Sequence, residues 1–389
     1  MDFIEQIIAE EKCTGCQACL NICPCNAITM KEREDTFLYP EINQSSCTNC
    51  KACEKVCPAI SENLFDRIAS PICYASWQND DKIRIDSSSG GIFSALAKKI
   101  IENNGYVYGA AFDENLKLNH VECNTIDKLQ ELRGSKYLQS NIGTVFSQIK
   151  KRIKEGQWVL FVGAPCQVAG LNTFIGKDHA TLITCDFVCH GVPSGKIFNK
   201  YVQELEKKNE SRITSYYFRR KKFGWKDFNI EINYDNGQKE EIPFIEDSFM
   251  KGFIADLYLR PSCYNCSASR IPRVADISLA DYWQVWDFMP DICDQRGVSA
   301  VLINSEKGIK IYSELTNIKS ITTNLDWIVK GNPSLNSSVK KPRKRKLFYS
   351  LYRDNISFQQ IIEKCLPPPT YLDKIKWSLN RRIKKIFYS

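Results

Sequence analysis

Eight cysteines near the N-terminus fall into two runs of identical spacing, C-x2-C-x2-C-x3-C, and a proline follows each run. The first run is Cys13, Cys16, Cys19 and Cys23, and the second is Cys47, Cys50, Cys53 and Cys57. A [4Fe-4S] cube needs four thiolates; three can come from one tight loop, and the fourth comes from elsewhere in the fold. The spacing therefore predicts two cubes, one on Cys13, Cys16, Cys19 and Cys57, and the other on Cys47, Cys50, Cys53 and Cys23.

The same ligand run is typical of bacterial two-cluster ferredoxins. The alternatives are zinc knuckles and disulfides, but zinc sites usually pair one C-x2-C with a distant C-x2-C or with histidines. This chain has 18 cysteines and only 3 histidines. Cys25 lies outside the first run and is interpreted as a spare thiol. We therefore expect residues 1–60 to form a two-cluster ferredoxin domain.

Composition favours a cytoplasmic protein. Met1–Glu11 is acidic and amphipathic, unlike a secretory signal peptide. No apolar stretch approaches the roughly 20 residues that span a bilayer. In a reducing compartment, cysteines serve metal binding or redox chemistry rather than disulfides.

Charge is distributed unevenly along the chain. Residues 1–60 hold nine acidic and five basic residues, a net charge of −4, whereas residues 340–389 hold fourteen basic and three acidic residues, a net charge of +11. We expect these two segments to meet different partners. Near the C-terminus, an apolar stripe of helical spacing runs through Leu372, Ile375, Leu379, Ile383 and Ile386. A basic amphipathic helix of this kind favours peripheral contact with the inner face of the membrane; the alternative is a charged helix packed on the protein.

The middle of the chain has the pattern of an α/β domain. Apolar runs at 106–112, 158–162 and 181–188 have the length of strands, and continuous runs suit strands buried on both faces of a sheet. Residues 92–101 have the apolar spacing of a helix. We expect an α+β protein with a ferredoxin domain at 1–60, a larger mixed α/β domain at 71–333, and a basic tail at 334–389.

Four further cysteines are candidate ligands of a third cube. Cys166 and Cys189 each follow a predicted buried strand, at the sheet edge where ligands of open α/β sheets bind, and Cys263 and Cys266 form a C-x2-C in a polar loop. The alternative is that Cys166 and Cys189 are ordinary buried cysteines. Cys185 could replace Cys189 as a ligand. His190 could act as a catalytic general acid or base, or be structural.

Two segments could bind a phosphate. Ser87, Ser88, Ser89, Gly90 and Gly91 open the predicted helix at 92–101, where serines cap and glycines let a ligand approach free N–H groups. Arg133 and Lys136 flank a glycine and could clamp the same phosphate. The alternatives are a plain serine cap and a solvated turn. The basic and aromatic run at 219–225 could contact nucleic acid, but the rest of the chain is not a basic groove, so we expect no nucleic-acid partner.

Taken in order, these segments resemble the beta-subunit family of coenzyme F420 hydrogenase and dehydrogenase. The matching segments are Ser88–Ser94 (SSGGIFS), Arg133–Tyr137 (RGSKY), Gly163–Leu171 (GAPCQVAGL), Cys189–Ser194 (CHGVPS), Cys263–Cys266 (CYNC) and Ala275–Trp283 (ADISLADYW). The resemblance implies an iron–sulfur flavoprotein, with a third cluster and with FAD at the Ser-Gly-Gly helix start. It also implies electron transfer between clusters, FAD and a soluble hydride carrier or organic substrate.

The expected function is therefore that of an iron–sulfur flavoprotein oxidoreductase. A redox partner protein or a reduced carrier would supply electrons to the ferredoxin domain. The acceptor would be a carrier like coenzyme F420, or a small or lipid-linked substrate in surface polysaccharide biosynthesis, since many look-alikes occur in bacteria that build such polymers. The alternative is an electron-transfer protein that carries clusters without flavin.

Overall fold

The computed structural model describes residues 3–60, 65–354 and 356–367. The strands are β1 Ile28–Glu32, β2 Leu38–Ile42, β3 Ile72–Gln78, β4 Tyr106–Phe112, β5 Leu118–Cys123, β6 Val159–Gly163, β7 Leu182–Phe187, β8 Ile213–Arg220, β9 Asn229–Tyr234, β10 Lys239–Pro243, β11 Ile277–Asp281, β12 Ser299–Ile303 and β13 Ile318–Thr322. The helices up to residue 209 are α1 Phe3–Ala9, α2 Ala18–Ile22, α3 Ala52–Lys55, α4 Asp81–Asp86, α5 Ile92–Glu102, α6 Leu129–Leu132, α7 Val145–Lys154, α8 Pro165–Ile175 and α9 Gly195–Asn209. The later helices are α10 Ser248–Ile254, α11 Val285–Phe288, α12 Glu306–Ser313, α13 Leu325–Gly331, α14 Arg345–Arg353 and α15 Phe358–Cys365.

An eight-stranded mixed sheet organises the larger domain, in the order β13-β3-β12-β11-β7-β6-β4-β5. Its four central strands, β11, β7, β6 and β4, are parallel, and the outer strands pair antiparallel. The parallel strands β6 and β7 are buried along most of their length, as their continuous apolar runs predict. Because parallel strands end at the same edge, the residues that follow β6, β7 and β11 are brought together there.

The N-terminal domain consists of the two cysteine loops, the short helices α2 and α3, and the antiparallel pair β1–β2. It packs on the larger domain through α7 and α8: Ala18 and Val56 share a buried cluster with Val168, Leu171 and Phe174. Polar contacts add to this interface, including Gln17 Nε2 donating to Asn141 Oδ1 at 2.8 Å and Thr173 Oγ1 donating to the Val56 carbonyl at 2.7 Å. The predicted fold class, a ferredoxin-type domain followed by a larger mixed α/β domain, is confirmed.

The segment predicted as a basic tail is in large part a component of the larger domain. Helices α14 and α15 bury Phe348, Phe358 and Ile361 in the same apolar cluster as α9, α10 and the three-stranded sheet β10-β9-β8. The sequence did not indicate this, because the basic side chains of α14 mask a short apolar stripe. The predicted helix at 372–386 lies outside the described residues, so its membrane contact stays a prediction.

The described part of this basic segment also contacts the acidic N-terminal domain. Lys341 pairs with Glu11 at 2.7 Å, and Arg353 pairs with Glu34 at 3.0 Å. The Tyr349 hydroxyl donates to the Asp35 carbonyl at 3.1 Å. Part of the opposite charge of the two segments is therefore paired within the chain, and the expectation that the segments meet different partners stays a prediction. Such exposed ion pairs contribute about 0–1 kcal/mol each to the free energy of unfolding, so they stabilise the fold little and mainly orient the two segments.

No helix among the described residues is both long and apolar enough to cross a bilayer.

The packing of α15 predicts that it is needed for stability. Phe358 is fully buried between the rings of Tyr201, Phe249, Tyr258 and Phe348. Phe358→Ala should lower the free energy of unfolding by about 3–5 kcal/mol, because it leaves a cavity in this aromatic cluster. The neighbouring exposed Gln359→Ala should change it by less than about 0.5 kcal/mol. Anaerobic urea unfolding followed by circular dichroism measures both, and equal stability of the two variants would show that α15 is an appendage.

Candidate iron–sulfur and cofactor site

The N-terminal domain, called the head, holds two candidate cluster sites. The first head site gathers the four cysteines predicted for it. Cys13, Cys16, Cys19 and Cys57 line one cavity with apolar side chains of α1 and with Pro58. Burial raises the pKa of the Cys19 thiol well above its ordinary value, and the neighbouring thiols of Cys16, Cys13 and Cys57 raise it further. Thiols crowded in this way ionise only when a cation offsets their charge, and iron supplies it in a cube. The donor set and the cavity fit a [4Fe-4S] cluster.

The second head site faces solvent. Cys50 is exposed, while Cys47, Cys53 and Cys23 are partly buried. Backbone amides point at two of these sulfurs, since Asn49 N donates to Cys47 Sγ at 3.4 Å and Ala27 N donates to Cys23 Sγ at 3.2 Å. Amide donors of this kind stabilise thiolates of iron–sulfur sites.

Cys25 is not isolated from the second head site. Its Sγ is 3.8 Å from Cys23 Sγ, and a hydrogen bond from the Thr48 backbone lowers its pKa below the ordinary value. The loop of the second run therefore reaches the end of the first, as the crossed ligand assignment requires.

The third group of cysteines lies at the carboxyl edge of the parallel strands. Cys166 is the second residue of α8, which follows β6, and Cys189 follows β7. Cys263 and Cys266 come from a 3-10 turn at Pro261–Asn265 and the residue after it. Burial raises the pKa of Cys166 well above its ordinary value, and the thiols of Cys266, Cys189 and Cys263 add to the rise. The four thiols therefore lie near one another, and their number and type fit a cube.

The alternative ligand Cys185 is placed elsewhere. It lies inside β7, fully buried in the sheet, and its Sγ donates to the Asp186 carbonyl at 3.6 Å. Burial raises the pKa of Cys185 well above its ordinary value, and the carboxylates of Asp186 and Asp276, rather than the thiols of the third group, add to the rise. Among the described residues, no group of three His, Cys, Asp or Glu side chains is arranged to hold a single metal ion. The thiolates of a cube are spaced more widely than the ligands of a single ion.

The first head site and the third site are adjacent along α8. Gly170 lies one turn after Cys166 on the same helix face. A Cβ built on Gly170 would come within 2.8 Å of Cys16 Sγ, so only glycine admits the head loop at this distance. Cys16 is also among the thiols that raise the pKa of Cys166, after burial and the three other cysteines of the third site. The two sites are therefore neighbours.

The two predicted phosphate-binding segments meet in space. Ser88 Oγ accepts hydrogen bonds from Ser135 N at 2.6 Å and from Ser135 Oγ at 2.8 Å. Arg133 Nε donates to Ser94 Oγ at 3.0 Å, on the first turn of α5. Gly91, with φ 85°, caps α5 without any side-chain hydrogen bond. A helix start of this kind, next to two cations, fits a phosphate group.

Other residues of the serine–glycine turn have structural contacts. Ser87 and Ser89 donate their hydroxyls to the carbonyls of Ile83 and Val298. A Cβ on Gly90 would lie 2.3 Å from the Ser76 carbonyl oxygen, so this glycine is required by packing between strands. Lys136 Nζ donates to the carbonyls of Glu131 and Arg133 at 3.0 and 2.8 Å. Burial lowers the Lys136 pKa to about 7, and this cation faces carbonyls alone. Flavin binding by these residues stays a prediction.

His190 pairs with a carboxylate. Its Nε2 lies 2.6 Å from Asp256 Oδ1, and the ring packs edge-on against Phe253 with centroids 5.3 Å apart. Phe253 also packs against Tyr137, at 5.0 Å, next to Lys136. The imidazole thus lies between the third cysteine group and the loop that holds Lys136. Its catalytic role stays a prediction.

The run at 219–225 turns two of its side chains inward. Arg219 and Trp225 are buried, and both bind the carboxylate of Asp281 at the end of β11. Sequence reasoning missed this contact because charge and aromatic content alone do not show which side chains turn inward. Lys221 Nζ donates to three backbone carbonyls, of Arg84, Ser89 and Arg296, and so braces the turn before α5.

Comparison with known proteins agrees with the two-part fold. A family model described as a 4Fe-4S dicluster domain matches residues 12–60, and a model of the C terminus of the beta subunit of coenzyme F420 hydrogenase/dehydrogenase matches residues 156–325. Residues 156–325 of this chain are therefore similar to the C terminus of this beta subunit. The resemblance stated from the sequence motifs is thereby confirmed, and the chain is an iron–sulfur electron-transfer protein of oxidoreductase type.

Solved structures also match, 13 chains in all. One is a chain of the F420-reducing [NiFe] hydrogenase complex from Methanosarcina barkeri, in a xenon derivative, with 17% identity and a TM-score of 0.47. That match covers 76% of this chain and 97% of the other. A search of curated proteins returned no match.

The geometry of the third group predicts different results for two neighbouring cysteines. Cys189→Ser should remove about four irons per chain, because a cube loses one of its thiolates. Cys185→Ser, four residues earlier in β7, should keep the full iron content. Iron and acid-labile sulfide are measured after anaerobic purification. Iron loss in Cys185→Ser, or none in Cys189→Ser, would contradict the ligand assignment.

Proposed function

We propose that this protein is an iron–sulfur flavoprotein oxidoreductase. A redox partner protein or reduced carrier gives up single electrons at the exposed second head site. The first head site and the third site would hold the next two clusters and the start of α5 would hold FAD, and together these groups would supply a path for single electrons. When bound, FAD would combine single electrons into a hydride, which a cluster cannot do. The acceptor is a carrier like coenzyme F420 or an organic or lipid-linked substrate.

The observation that supports this order is the course of the loop at 133–141. Ser135 bonds to Ser88 at the start of α5, Tyr137 packs on Phe253 beside His190, and Gln139 Nε2 donates to the Thr14 carbonyl in the first cysteine loop at 2.9 Å. One short segment therefore touches the candidate flavin site, the surroundings of the third site, and the head. A change of charge at any of these three places would therefore occur beside this segment.

Each residue of the proposed flavin site has a separate task. The first turn of α5 offers N–H groups and the positive end of the helix dipole to one phosphate. Lys136 supplies a full charge to the other, and Ser88 and Ser135 hold the two segments together. His190, oriented by Asp256, is placed to give or take a proton at the substrate. These roles extend the sequence hypothesis of a phosphate clamp.

The direct test is flavin content. Protein purified without oxygen should carry about one noncovalent FAD per chain and oxidise or reduce at least one of F420, NAD(P)H or ferredoxin. Protein that keeps its iron but never retains flavin, even after reconstitution, would favour the electron carrier without flavin.

Lys136 predicts both an affinity and a pH dependence. Lys136→Met should weaken FAD binding by roughly ten- to a hundredfold, the range for one charge-assisted hydrogen bond. Because the Lys136 pKa in the free protein is lowered to about 7, FAD binding must take up a proton above that pH. Wild-type affinity should therefore fall as pH rises above about 7, while the neighbouring His120, whose pKa burial lowers to about 4, stays neutral.

The control for this prediction is Lys128→Met, which removes an exposed lysine nearby. It should leave FAD affinity and its pH dependence unchanged, since solvent screens its charge. Affinity is measured by fluorescence quenching of FAD added to flavin-free protein. A pH-independent affinity in wild type, or equal weakening in both variants, would contradict the role given to Lys136.

A further inference from the structure

Arg260 is a buried arginine at the junction of the head and the third site. It lies three residues before Cys263, and only 1% of its surface is exposed. Its Nε donates to the Cys13 carbonyl at 2.8 Å, and its Nη2 donates to the Leu38 carbonyl at 3.1 Å. Its Nη1 donates to Gln139 Oε1 at 2.9 Å. All of these oxygens are neutral.

The guanidinium has no carboxylate partner among residues 3–60, 65–354 and 356–367. Two other fully buried arginines do, since Arg84 pairs with Asp294 at 2.9 Å and Arg273 pairs with Asp186 at 3.0 Å. A buried cation without a counter-charge is strongly disfavoured, and arginine cannot shed its proton to escape the cost. A compensating negative charge must come from elsewhere in the site.

The nearest candidate for that charge is the thiolate set of the first head site. Arg260 Nη2 lies 3.7 Å from Cys13 Sγ. Gly15 permits the approach, since a Cβ there would come within 2.7 Å of Arg260 Nη1. The rings of Tyr39 and Phe37 lie at 4.3 and 5.3 Å from the guanidinium carbon and exclude water from it. In such a dry surrounding, a charge acts strongly on its neighbours.

We propose that Arg260 raises the reduction potential of the cluster held by Cys13, Cys16, Cys19 and Cys57. Four thiolates give a cube a net negative charge, and one added electron makes it more negative, so a fixed cation beside it stabilises the reduced form more than the oxidised form. One electron leaves the second head cluster and enters this one, with no proton transferred. The inference rests on the cluster relay of the proposed function, and not on flavin.

The consequence is a direction of electron flow within the head. The second head site is exposed at Cys50, whereas the first is enclosed and next to the third site. A raised potential at the enclosed cluster draws electrons inward from the solvent-facing one. Arg260 is therefore not a cluster ligand. Through its contact with Cys13 it tunes the reduction potential of the cluster and positions the first cysteine loop.

The test is an anaerobic redox titration of the full chain followed by EPR. Arg260→Met should keep about twelve irons per chain and shift the midpoint of one cluster to a lower potential. Arg260→Lys, which keeps the charge, should lie closer to wild type. Arg353→Met removes one positive charge at an exposed position beside the head and should leave all midpoints unchanged.

Two outcomes would overturn the proposal. One is an unchanged midpoint in Arg260→Met with full iron content. The other is loss of about four irons in both the Met and the Lys variants, which would make Arg260 a mechanical tie between two loops. Loss of iron in the Met variant alone would support a requirement for the charge. Flavin takes no part in this titration, so failure of the Arg260 proposal can be distinguished from failure of the flavin proposal.

Discussion

Thiolates gathered inside a protein repel one another and lose hydration, and this cost governs the fold of the chain. Burial raises the pKa of Cys16, Cys19 and Cys166, so none of them ionises readily without a cation. In the proposed protein iron would provide the compensating charge, and each cube would fix segments that are far apart in sequence. The twelve candidate ligands would then do more than hold cofactors, because they would join the two cysteine loops of the head and would join the residues after β6 and β7 to the turn at Pro261–Asn265.

The packing of the head on the larger domain follows from the same constraint. A cube buried at the interface needs close approach from both sides, and Gly170 on α8 and Gly15 in the first cysteine loop supply it. Hydrogen bonds from Gln17, Gln139 and Thr173 then fix the register of the two domains. In the proposed relay, this interface would make a short path between the first head site and the third site.

Much of this architecture could be predicted from the sequence. The C-x2-C-x2-C-x3-C runs identify the head because ligand spacing is set by the geometry of the cube, and the buried strands are visible as apolar runs. The positions of Cys166 and Cys189 at the sheet edge follow from the strands before them. These features depend on local pattern, which one sequence contains.

The rest depends on contacts between distant segments. Nothing in the sequence around Arg260 shows that its guanidinium reaches Cys13, nor that Arg219 and Trp225 turn inward to Asp281. The packing of α14 and α15 on the larger domain was hidden by their basic residues. Gly90 likewise has a packing role that the sequence does not show, since a Cβ there would lie 2.3 Å from the Ser76 carbonyl oxygen of β3, and its part in flavin binding stays a prediction.

We propose that three cubes form one continuous relay within a single chain. The most direct measurement of such a relay is the iron and acid-labile sulfide content of the full chain purified without oxygen, combined with EPR of the fully reduced protein. We expect about twelve irons and as many sulfides per chain, with spectra broadened by interaction between neighbouring clusters. About eight irons, or clusters that give separate and non-interacting signals, would contradict it.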